Sequence, residues 1–204
     1  MLISDRLLND LEHHGWSTSD DIIPVGLAHR LLAEGRQRWR QGQFHEATIG
    51  RSTSQQHNPA IRGDNICWIR ERMPHTASAD FLAWADLLRQ TLNQYFFLGL
   101  RRQECHFARY APGAGYAQHI DQHKNTGFRK LSLVLYLNPD WQPGHGGELC
   151  IYDPANPNTE IQRIAPLMGR LALFRSDTVL HAVLPCQTTR WSLTGWFRND
   201  DLPL

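Results

Sequence analysis

The sequence predicts a mainly β protein with supporting α-helices, in the form of a double-stranded β-helix (jelly roll) with helices packed on one sheet. Two features of the sequence predict this fold class. From residue 102 onward, short runs of β-branched and aromatic residues alternate with clusters of Gly, Pro, Asn and Asp. Before that point, apolar residues recur at helical spacing. The eight short strands that follow from this pattern are typical of a jelly roll.

Three amphipathic segments predict the helices. They cover residues 4–14, 24–40 and 79–97. Ser4 is suited to be the N-cap of the first helix, and Gly15 is suited to end it. An apolar stripe that begins at Val25 runs along the second helix. Ser78 is the expected N-cap of the third helix, whose broad apolar face extends to Tyr95.

The predicted strands of the core span residues 104–110, 116–120, 130–137, 147–152, 160–164, 170–175, 179–183 and 189–198. Two further strands, 43–49 and 65–70, are joined by the polar loop 50–64, which is long enough to be functional. The 204 residues fit a single domain, 1–204. Within it, residues 1–100 supply the helical support and residues 102–198 the jelly-roll core.

Charge and composition exclude several functional classes. With 21 Lys and Arg against 20 Asp and Glu, the net charge is +1, which argues against binding to nucleic acid or to an anionic membrane. The N-terminus lacks the pattern of a signal peptide, and no apolar run is long enough to span a membrane. The four cysteines are widely scattered, as in a reduced protein. We therefore expect a soluble, cytoplasmic monomer.

A metal site is predicted from His119-Ile120-Asp121. Residues two apart on a strand point to the same face, so the imidazole and the carboxylate can bind one ion together. His181, on another apolar run, would complete a set of two histidines and one carboxylate, which is diagnostic of non-haem Fe(II) oxygenases. A fourth protein ligand would instead indicate structural zinc. His123 would be a rival ligand only on a helix, and Gly127 favours a loop there.

Arg190 lies on the strand that follows His181. In this strand Arg190, Ser192, Thr194 and Trp196 alternate onto one face, and Trp191, Leu193 and Phe197 take the other. An arginine on the inner face of a barrel is costly unless an anion neutralises it. A bidentate guanidinium suits a carboxylate, and the Thr194 hydroxyl adds a second donor. The arrangement indicates a dicarboxylate held between the metal and Arg190, namely 2-oxoglutarate.

The segment His106–Asn199 resembles the catalytic domain of the hypoxia-inducible-factor prolyl hydroxylases, and most closely that of the bacterial (pseudomonad) prolyl hydroxylases. The matching stretches are Tyr110-Ala111-Pro112-Gly113, Gly115-Tyr116, His119-Ile120-Asp121, Tyr136-Leu137-Asn138-Pro139-Asp140-Trp141, Gly146-Gly147-Glu148-Leu149 and Phe174-Arg175-Ser176-Asp177, with His181 and Arg190. Upstream, Ile61-Arg62-Gly63-Asp64 and Trp68-Ile69 match the sequence around the family's substrate-covering loop, here 50–64.

The resemblance implies a role for each matching residue. His119, Asp121 and His181 would bind Fe(II), with 2-oxoglutarate and O2 as co-substrates and L-ascorbate as reductant. Arg190 would hold the far carboxylate of 2-oxoglutarate. The other implied site residues are Tyr136 and Thr194 beside that carboxylate, Tyr110, Tyr116 and Trp196 around the prolyl ring, and Arg62 and Asp64 in the substrate-covering loop. The remaining histidines, His45 and His106 among them, are interpreted as surface or core residues, and Trp68 as core.

The reaction that the resemblance implies is the trans-4-hydroxylation of a prolyl residue in a protein, with succinate and CO2 as products. By the same resemblance, the substrate is elongation factor Tu, and oxygen sensing is the expected role. Two alternatives remain at this point. One is an oxygenase of the same chemistry that acts on a free amino acid or small metabolite. The other is a non-catalytic jelly-roll module that binds zinc through a fourth ligand and has no need of Arg190.

Overall fold

The computed structural model describes residues 3–48, 58, 60–69, 74–122 and 127–201. Most of the predicted 50–64 loop, together with His123, therefore lies outside the described residues. The helices are α1 (Asp5–His14), α2 (Leu27–Arg40) and α3 (Ala77–Phe96). None of the helices in the described ranges is both long and apolar enough to cross a membrane.

Eleven antiparallel strands form two sheets in the described part of the chain. The strands are β1 (Trp16–Ser19), β2 (His45–Glu46), β3 (Asp64–Trp68), β4 (Arg102–Tyr110), β5 (Tyr116–His119), β6 (Arg129–Tyr136), β7 (Leu149–Asp153), β8 (Asn156–Ile164), β9 (Leu171–Arg175), β10 (Leu180–Val183) and β11 (Arg190–Arg198). The larger sheet has the order β1-β9-β6-β11-β4-β3-β2, and the smaller has the order β5-β10-β7-β8. This confirms the predicted jelly roll.

Strand β1 is the one element that the sequence pattern does not predict. Its residues Trp16-Ser17-Thr18-Ser19 are mostly small and polar, without the apolar alternation of a half-buried strand. It forms because it adds to the edge of the larger sheet, where Trp16 pairs with Phe174 and Ser19 with Leu171. The strand therefore depends on its tertiary partner.

The ends of α1 agree with the prediction, but α2 begins later than predicted. The Ser4 side chain accepts a hydrogen bond from the backbone N–H of Leu7, and Gly15 ends the helix at a φ of 78°. The first residue of α2 is Leu27, and Gly26 precedes it with a φ of 76°. Val25 is fully exposed instead of belonging to the apolar stripe.

Helix α3 is capped by Thr76 instead of Ser78. The Thr76 hydroxyl accepts a hydrogen bond from the backbone N–H of Ala79 at 3.2 Å. Ser78 lies inside the first turn, where its hydroxyl donates to Glu34 of α2 at 2.7 Å and so joins the two helices. At the other end, Tyr95 is 42% exposed, so the buried face is shorter than predicted.

The larger sheet separates two apolar layers. Its outer face packs against the helices through side chains such as Phe81, Leu88, Leu133, Leu193 and Phe197. Its inner face packs against the smaller sheet through Tyr110, Val134, Tyr136, Ile151 and Phe174. Trp191, Leu193 and Phe197 of β11 all belong to the outer layer, as the predicted alternation along this strand requires. The helices support the sheet from behind, and polar inward-facing side chains are left to build a site between the sheets.

The four cysteines are buried and free, and they belong to the packed interior. Cys105, for example, is 1% exposed beneath the helices, and burial raises the pKa of its thiol. Buried free cysteines of this kind behave as small apolar residues.

Candidate active site

His119, Asp121 and His181 come together between the two sheets, as the sequence predicts. The ligand atoms of these three residues all lie within 4.8 Å of one another. His119 ends β5 and pairs directly with His181 of β10, and Asp121 follows β5 by two residues. Asp121 Oδ1 lies 3.4 Å from His119 Nε2 and 3.9 Å from His181 Nε2.

Each of the three groups is oriented by a second contact. His119 Nδ1 lies 2.8 Å from the Ala117 carbonyl oxygen, and His181 Nδ1 lies 3.0 Å from that of Val179. A carbonyl only accepts, so each Nδ1 carries the proton and each Nε2 presents its lone pair to the centre. Asp121 Oδ2 accepts a hydrogen bond from Ser132 at 2.6 Å. This leaves Oδ1 free for a cation.

The electrostatic environment keeps His181 and Asp121 in the forms that bind metals. Burial and the neighbouring His119 ring lower the pKa of His181 to about 4, so its imidazole is neutral at neutral pH. Burial alone would raise the pKa of Asp121, but the His181 and His119 rings and the Ser132 hydroxyl hold it well below the usual range. A neutral imidazole and an ionised carboxylate are the ligand forms that a divalent cation requires.

The donor set fits the predicted Fe(II). Two imidazole nitrogens and one carboxylate oxygen, facing one another across a cavity, are the facial arrangement of non-haem iron sites, which keep open positions. Among the residues that the structure describes, no fourth His, Cys, Asp or Glu joins the group. A structural zinc site would be closed by four ligands.

Arg190 is buried on the inner face of β11, with 4% of its surface exposed. Its Nε donates to the Gly147 carbonyl at 2.8 Å, and its Nη1 donates to Ser192 Oγ at 3.2 Å. The guanidinium carbon lies 5.0 Å from the Tyr110 ring centre and 5.2 Å from that of Tyr136. No carboxylate of the described residues forms an ion pair with it, so its charge is left for an anionic ligand.

Tyr136 and Thr194 accompany Arg190, as the resemblance implies. The Tyr136 hydroxyl is buried and has no hydrogen-bond partner among the described residues. Burial raises the pKa of Tyr136 to about 12, so the hydroxyl stays protonated and can donate. Thr194 Oγ1 lies 3.5 Å from Ser192 Oγ, which itself accepts from Arg190. A buried hydroxyl without a partner is costly, and a carboxylate beside Arg190 would satisfy it.

The metal cluster and Arg190 line one cavity of about 520 Å³. Of the predicted site residues, those that line it are His119, Asp121, His181, Arg190, Thr194, Tyr110, Tyr116, Trp196, Arg62 and Asp64. Tyr136 lies beneath Arg190 instead of on the cavity wall. The size is typical of a small-ligand site.

Comparison with known proteins assigns the family. A family model for the 2OG-Fe(II) oxygenase superfamily matches residues 105–198. The crystal structure of a Pseudomonas putida prolyl-4-hydroxylase is 41% identical in sequence with a TM-score of 0.83, covering 95% of this chain and 97% of that chain. The chain belongs to the 2OG-Fe(II) oxygenase superfamily. It is thus an enzyme of the class that uses Fe(II), 2-oxoglutarate and O2.

Two further comparisons extend this assignment. Egl nine homolog 1 of Homo sapiens is 30% identical over 201 residues, which are 94% of this chain and 45% of the human protein. The chain spans about half the length of the curated Egl nine relatives it matches. A prolyl hydroxylase from Trichoplax adhaerens, solved in complex with a peptide fragment of the hypoxia-inducible-factor oxygen degradation domain, is 27% identical with a TM-score of 0.83. The match covers 96% of this oxygenase and 88% of the Trichoplax adhaerens chain.

Arg62 and Asp64 lie at the wall of the cavity of this oxygenase. Arg62 donates from Nε and Nη2 to the two carboxylate oxygens of Asp64, at 2.7 and 3.1 Å. Asp64, the first residue of β3, is 3% exposed. The Arg62 guanidinium carbon lies 5.0 Å from the ring centre of Tyr116, and that ring stacks on His119 at 3.6 Å. The pair thus also supports a residue of the metal cluster from behind.

Sequence reasoning missed several residues of this 2OG-Fe(II) oxygenase that line its cavity. They are His45, Thr48, Trp68, His106 and Arg129, together with apolar side chains. His106 is 1% exposed, and its ring centre lies 4.8 Å from that of Trp68 and 5.4 Å from that of Trp196. His106 is therefore a buried core residue, as interpreted, and it also lines the cavity. The alternation from Tyr110 through Ala108 to His106 along β4 is the signal that identifies this residue.

Proposed function

We propose that this oxygenase hydroxylates a prolyl residue of a protein at the trans-4 position, with 2-oxoglutarate and O2 as co-substrates. One observation carries the proposal: the facial cluster and the unneutralised Arg190 line the same cavity. A cavity that binds a cation at one end and a carboxylate at the other end suits 2-oxoglutarate. The similar prolyl hydroxylases from Pseudomonas putida and Trichoplax adhaerens support the choice of proline.

In this mechanism His119, Asp121 and His181 hold Fe(II). When bound, the iron supplies the activation of O2 and the oxidative decarboxylation of 2-oxoglutarate to succinate and CO2. The backbone carbonyls at the two Nδ1 atoms keep the imidazoles facing the cavity, and the Ser132 hydroxyl keeps Oδ1 of Asp121 free. Because these contacts exist before the ion arrives, little reorganisation is needed on binding.

Arg190, with the hydroxyls of Tyr136 and Thr194, would hold the far carboxylate of 2-oxoglutarate. The guanidinium is fixed by Gly147 and Ser192, so it is already oriented for a charge-assisted hydrogen bond. The low exposure of this wall excludes water and so strengthens the pairing of opposite charges. This sets the position of the co-substrate relative to the metal cluster.

Aromatic side chains would receive the prolyl ring. Tyr110, Tyr116 and Trp196 line the cavity, and Tyr116 stacks directly on His119. Flat apolar surfaces of this kind can pack against a pyrrolidine ring and exclude water from it. Arg62 stands beside Tyr116 and pairs with Asp64, and both residues belong to the end of the predicted substrate-covering loop 50–64.

The proposal also includes the substrate protein, the cellular location of the enzyme and its physiological role. The resemblance to the pseudomonad prolyl hydroxylases supports elongation factor Tu as substrate and the cytoplasm as the location. A nearly neutral charge supports a protein over a nucleic acid. O2 as co-substrate supports oxygen sensing. L-ascorbate would act as reductant for the iron, and the protein would act as a monomer.

The second candidate function is oxidation of a free amino acid or small metabolite. A cavity of about 520 Å³ has room for such a molecule, and this favours keeping the candidate. The zinc-binding module is disfavoured, because it calls for a fourth ligand and leaves the buried Arg190 without purpose.

The test is to supply the enzyme with Fe(II), 2-oxoglutarate, L-ascorbate and O2, and to compare elongation factor Tu with free proline. The proposal predicts succinate in proportion to protein hydroxylation, and one added oxygen atom on a single prolyl residue by peptide mass spectrometry. An acid hydrolysate should contain trans-4-hydroxyproline. Succinate that rises only with free proline would overturn the protein substrate and favour the second candidate.

A further inference from the structure

A buried ion-pair cluster lies directly behind the metal-binding carboxylate. At its centre is Glu104 of β4, which is 3% exposed. Its Oε1 accepts hydrogen bonds from Arg129 Nε at 2.9 Å and Arg198 Nη1 at 2.9 Å, and Arg129 Nη2 lies 2.8 Å away. Glu104 does not line the cavity, whereas Arg129 does. The Glu104 carboxylate therefore holds the Arg129 guanidinium at the cavity wall from outside the cavity.

Arg129 connects this cluster to Asp121. Its Nη1 donates to the backbone carbonyl of Asp121 at 3.3 Å, and its guanidinium carbon lies 3.6 Å from the ring centre of Trp196. The Gln122 side chain in turn donates to the backbone carbonyl of Arg129 at 3.0 Å. Arg129 is thus bound to the segment that carries Asp121 through both its side chain and its backbone.

Asp121 needs such support because it lies beyond the end of a strand. β5 ends at His119, so the ladder that orients His119 against His181 does not extend to Asp121. The carboxylate is fixed by Ser132, and the backbone that carries it is fixed by Arg129 and by the contact of Gln122 N–H with the Ser176 carbonyl. The position of one metal ligand therefore depends on where Arg129 is held.

We propose that Glu104 is a positioning residue for the metal site, acting through Arg129 on Asp121. Without the Glu104 charge, Arg129 would be a partly buried cation with no carboxylate behind it. It would then be free to turn from the Asp121 carbonyl toward the Asp121 carboxylate, where it competes with a divalent cation. The lost contact with the Asp121 carbonyl and the competition at the Asp121 carboxylate both weaken the binding of the ion. This inference rests on the proposed metal site, and it assigns a role to a residue that contacts neither the ion nor the co-substrates.

The test measures the affinity of the full-length protein for Mn(II), titrated by electron paramagnetic resonance in the absence of 2-oxoglutarate and peptide. Glu104→Gln, which keeps the shape and removes the charge, should bind Mn(II) about 10-fold more weakly, the loss usual for groups that support metal ligands. The matched control is Asp200→Asn. Asp200 is also buried, but its carboxylate pairs with Arg198 and Arg102 and not with Arg129. It should bind Mn(II) within about 2-fold of wild type.

A double-mutant cycle separates this role from a structural one. If Glu104 acts through Arg129, then Glu104→Gln should have little additional effect on Mn(II) affinity in an Arg129→Gln protein. If Glu104→Gln fails to fold, the Mn(II) affinities of Arg129→Gln and Asp200→Asn are compared instead. The loss of affinity is expected only in Arg129→Gln. Wild-type affinity in Glu104→Gln, or an equal loss in the Arg129→Gln background, would overturn the inference. Failure of the wild type to bind Mn(II) would overturn the proposed metal site and this inference with it.

Discussion

The backbone carbonyl of Gly147 accepts a hydrogen bond from Arg190 Nε at 2.8 Å, and the missing side chain of Gly147 is what lets Arg190 lie there. A Cβ at this position would come within 2.9 Å of Arg190 Cδ and 3.2 Å of Cys186 Cβ. The residue also has a φ of 76°, which L-amino acids other than glycine rarely adopt. The proposed anchor for 2-oxoglutarate is therefore built against a glycine.

Gly147→Ala should displace Arg190 and weaken the binding of 2-oxoglutarate, measured by calorimetry on the Mn(II)-loaded protein. We also expect a loss of about 1–2 kcal/mol in the free energy of unfolding, the cost of a left-handed alanine. Gly169→Ala is the matched control, because Gly169 has a φ of 81° and nothing within 4 Å of its Cβ position. Both variants should lose stability, but only Gly147→Ala should lose affinity. Equal affinities in the two variants would contradict this account of Arg190.

Arg190→Ala should weaken 2-oxoglutarate binding by about 2–5 kcal/mol, since it removes one partner of a buried charge pair. That corresponds to roughly 30-fold to several thousandfold in Kd. Arg190→Lys should recover only part of this, because an ammonium lacks the bidentate geometry of a guanidinium. Arg163→Ala, which removes an exposed arginine paired with Glu160 on β8, should leave the Kd unchanged. An Arg190→Ala protein of wild-type affinity would show that the carboxylate binds elsewhere.

His106 should make the protein sensitive to acid. Burial, with the nearby Arg62 charge, lowers the pKa of His106 to about 3 in the folded protein. The unfolded chain takes up this proton as the pH falls through about 6.5, whereas the folded protein does so only near 3. The contribution of His106 to stability is therefore complete above pH 6.5 and is lost progressively between 6.5 and 3.

Urea unfolding at a series of pH values, in the presence of a metal chelator, measures this effect. In the wild type, His106 should contribute up to about 1.4 kcal/mol per pH unit to the fall in the free energy of unfolding. In His106→Leu the fall should be smaller by that amount, because leucine cannot take up the proton. His181 contributes with the same sign to both proteins, since burial also lowers its pKa, to about 4. Parallel curves for the two proteins would contradict the burial of a neutral His106.

Two adjacent leucines of α3 test the contact between the helices and the larger sheet. Leu88 is fully buried, whereas Leu87 is 51% exposed. Leu88→Ala should lower the free energy of unfolding by about 2–5 kcal/mol, because it leaves a cavity in the layer behind the sheet. Leu87→Ala should change it by less than about 0.5 kcal/mol. Similar losses in thermal or urea unfolding would mean that α3 does not pack with the face described.

Strand periodicity accounts for most of what the sequence could predict. Because side chains alternate along a strand, the spacing of His119 and Asp121 and the placement of Arg190 already indicated one inward-facing site. Their convergence on one cavity agrees with that prediction. The alternation also assigns His106 to the pocket, but a histidine without a metal-binding spacing gave no reason to apply it there.

The remaining features depend on tertiary partners. β1 has no strand pattern of its own and exists because β9 offers a free edge. Thr76 instead of Ser78 caps α3 because Glu34 of the neighbouring helix binds the Ser78 hydroxyl. The contact of Glu104 with Arg129 joins two separate strands, and no local spacing indicates it. Such features are determined by packing, which local periodicity does not report.

In the proposed active site, His119, Asp121 and His181 hold an iron to which 2-oxoglutarate binds, while Arg190 holds the far end of 2-oxoglutarate. Anaerobic titration of the protein with Fe(II) and then 2-oxoglutarate tests this arrangement through the visible metal-to-ligand charge-transfer absorption of the chelated co-substrate. We expect this absorption to appear and saturate at one equivalent in the wild type, to be absent in Asp121→Ala, and to be lost on addition of a chelator. No absorption in the folded wild-type protein, or equal absorption in Asp121→Ala, would contradict this arrangement.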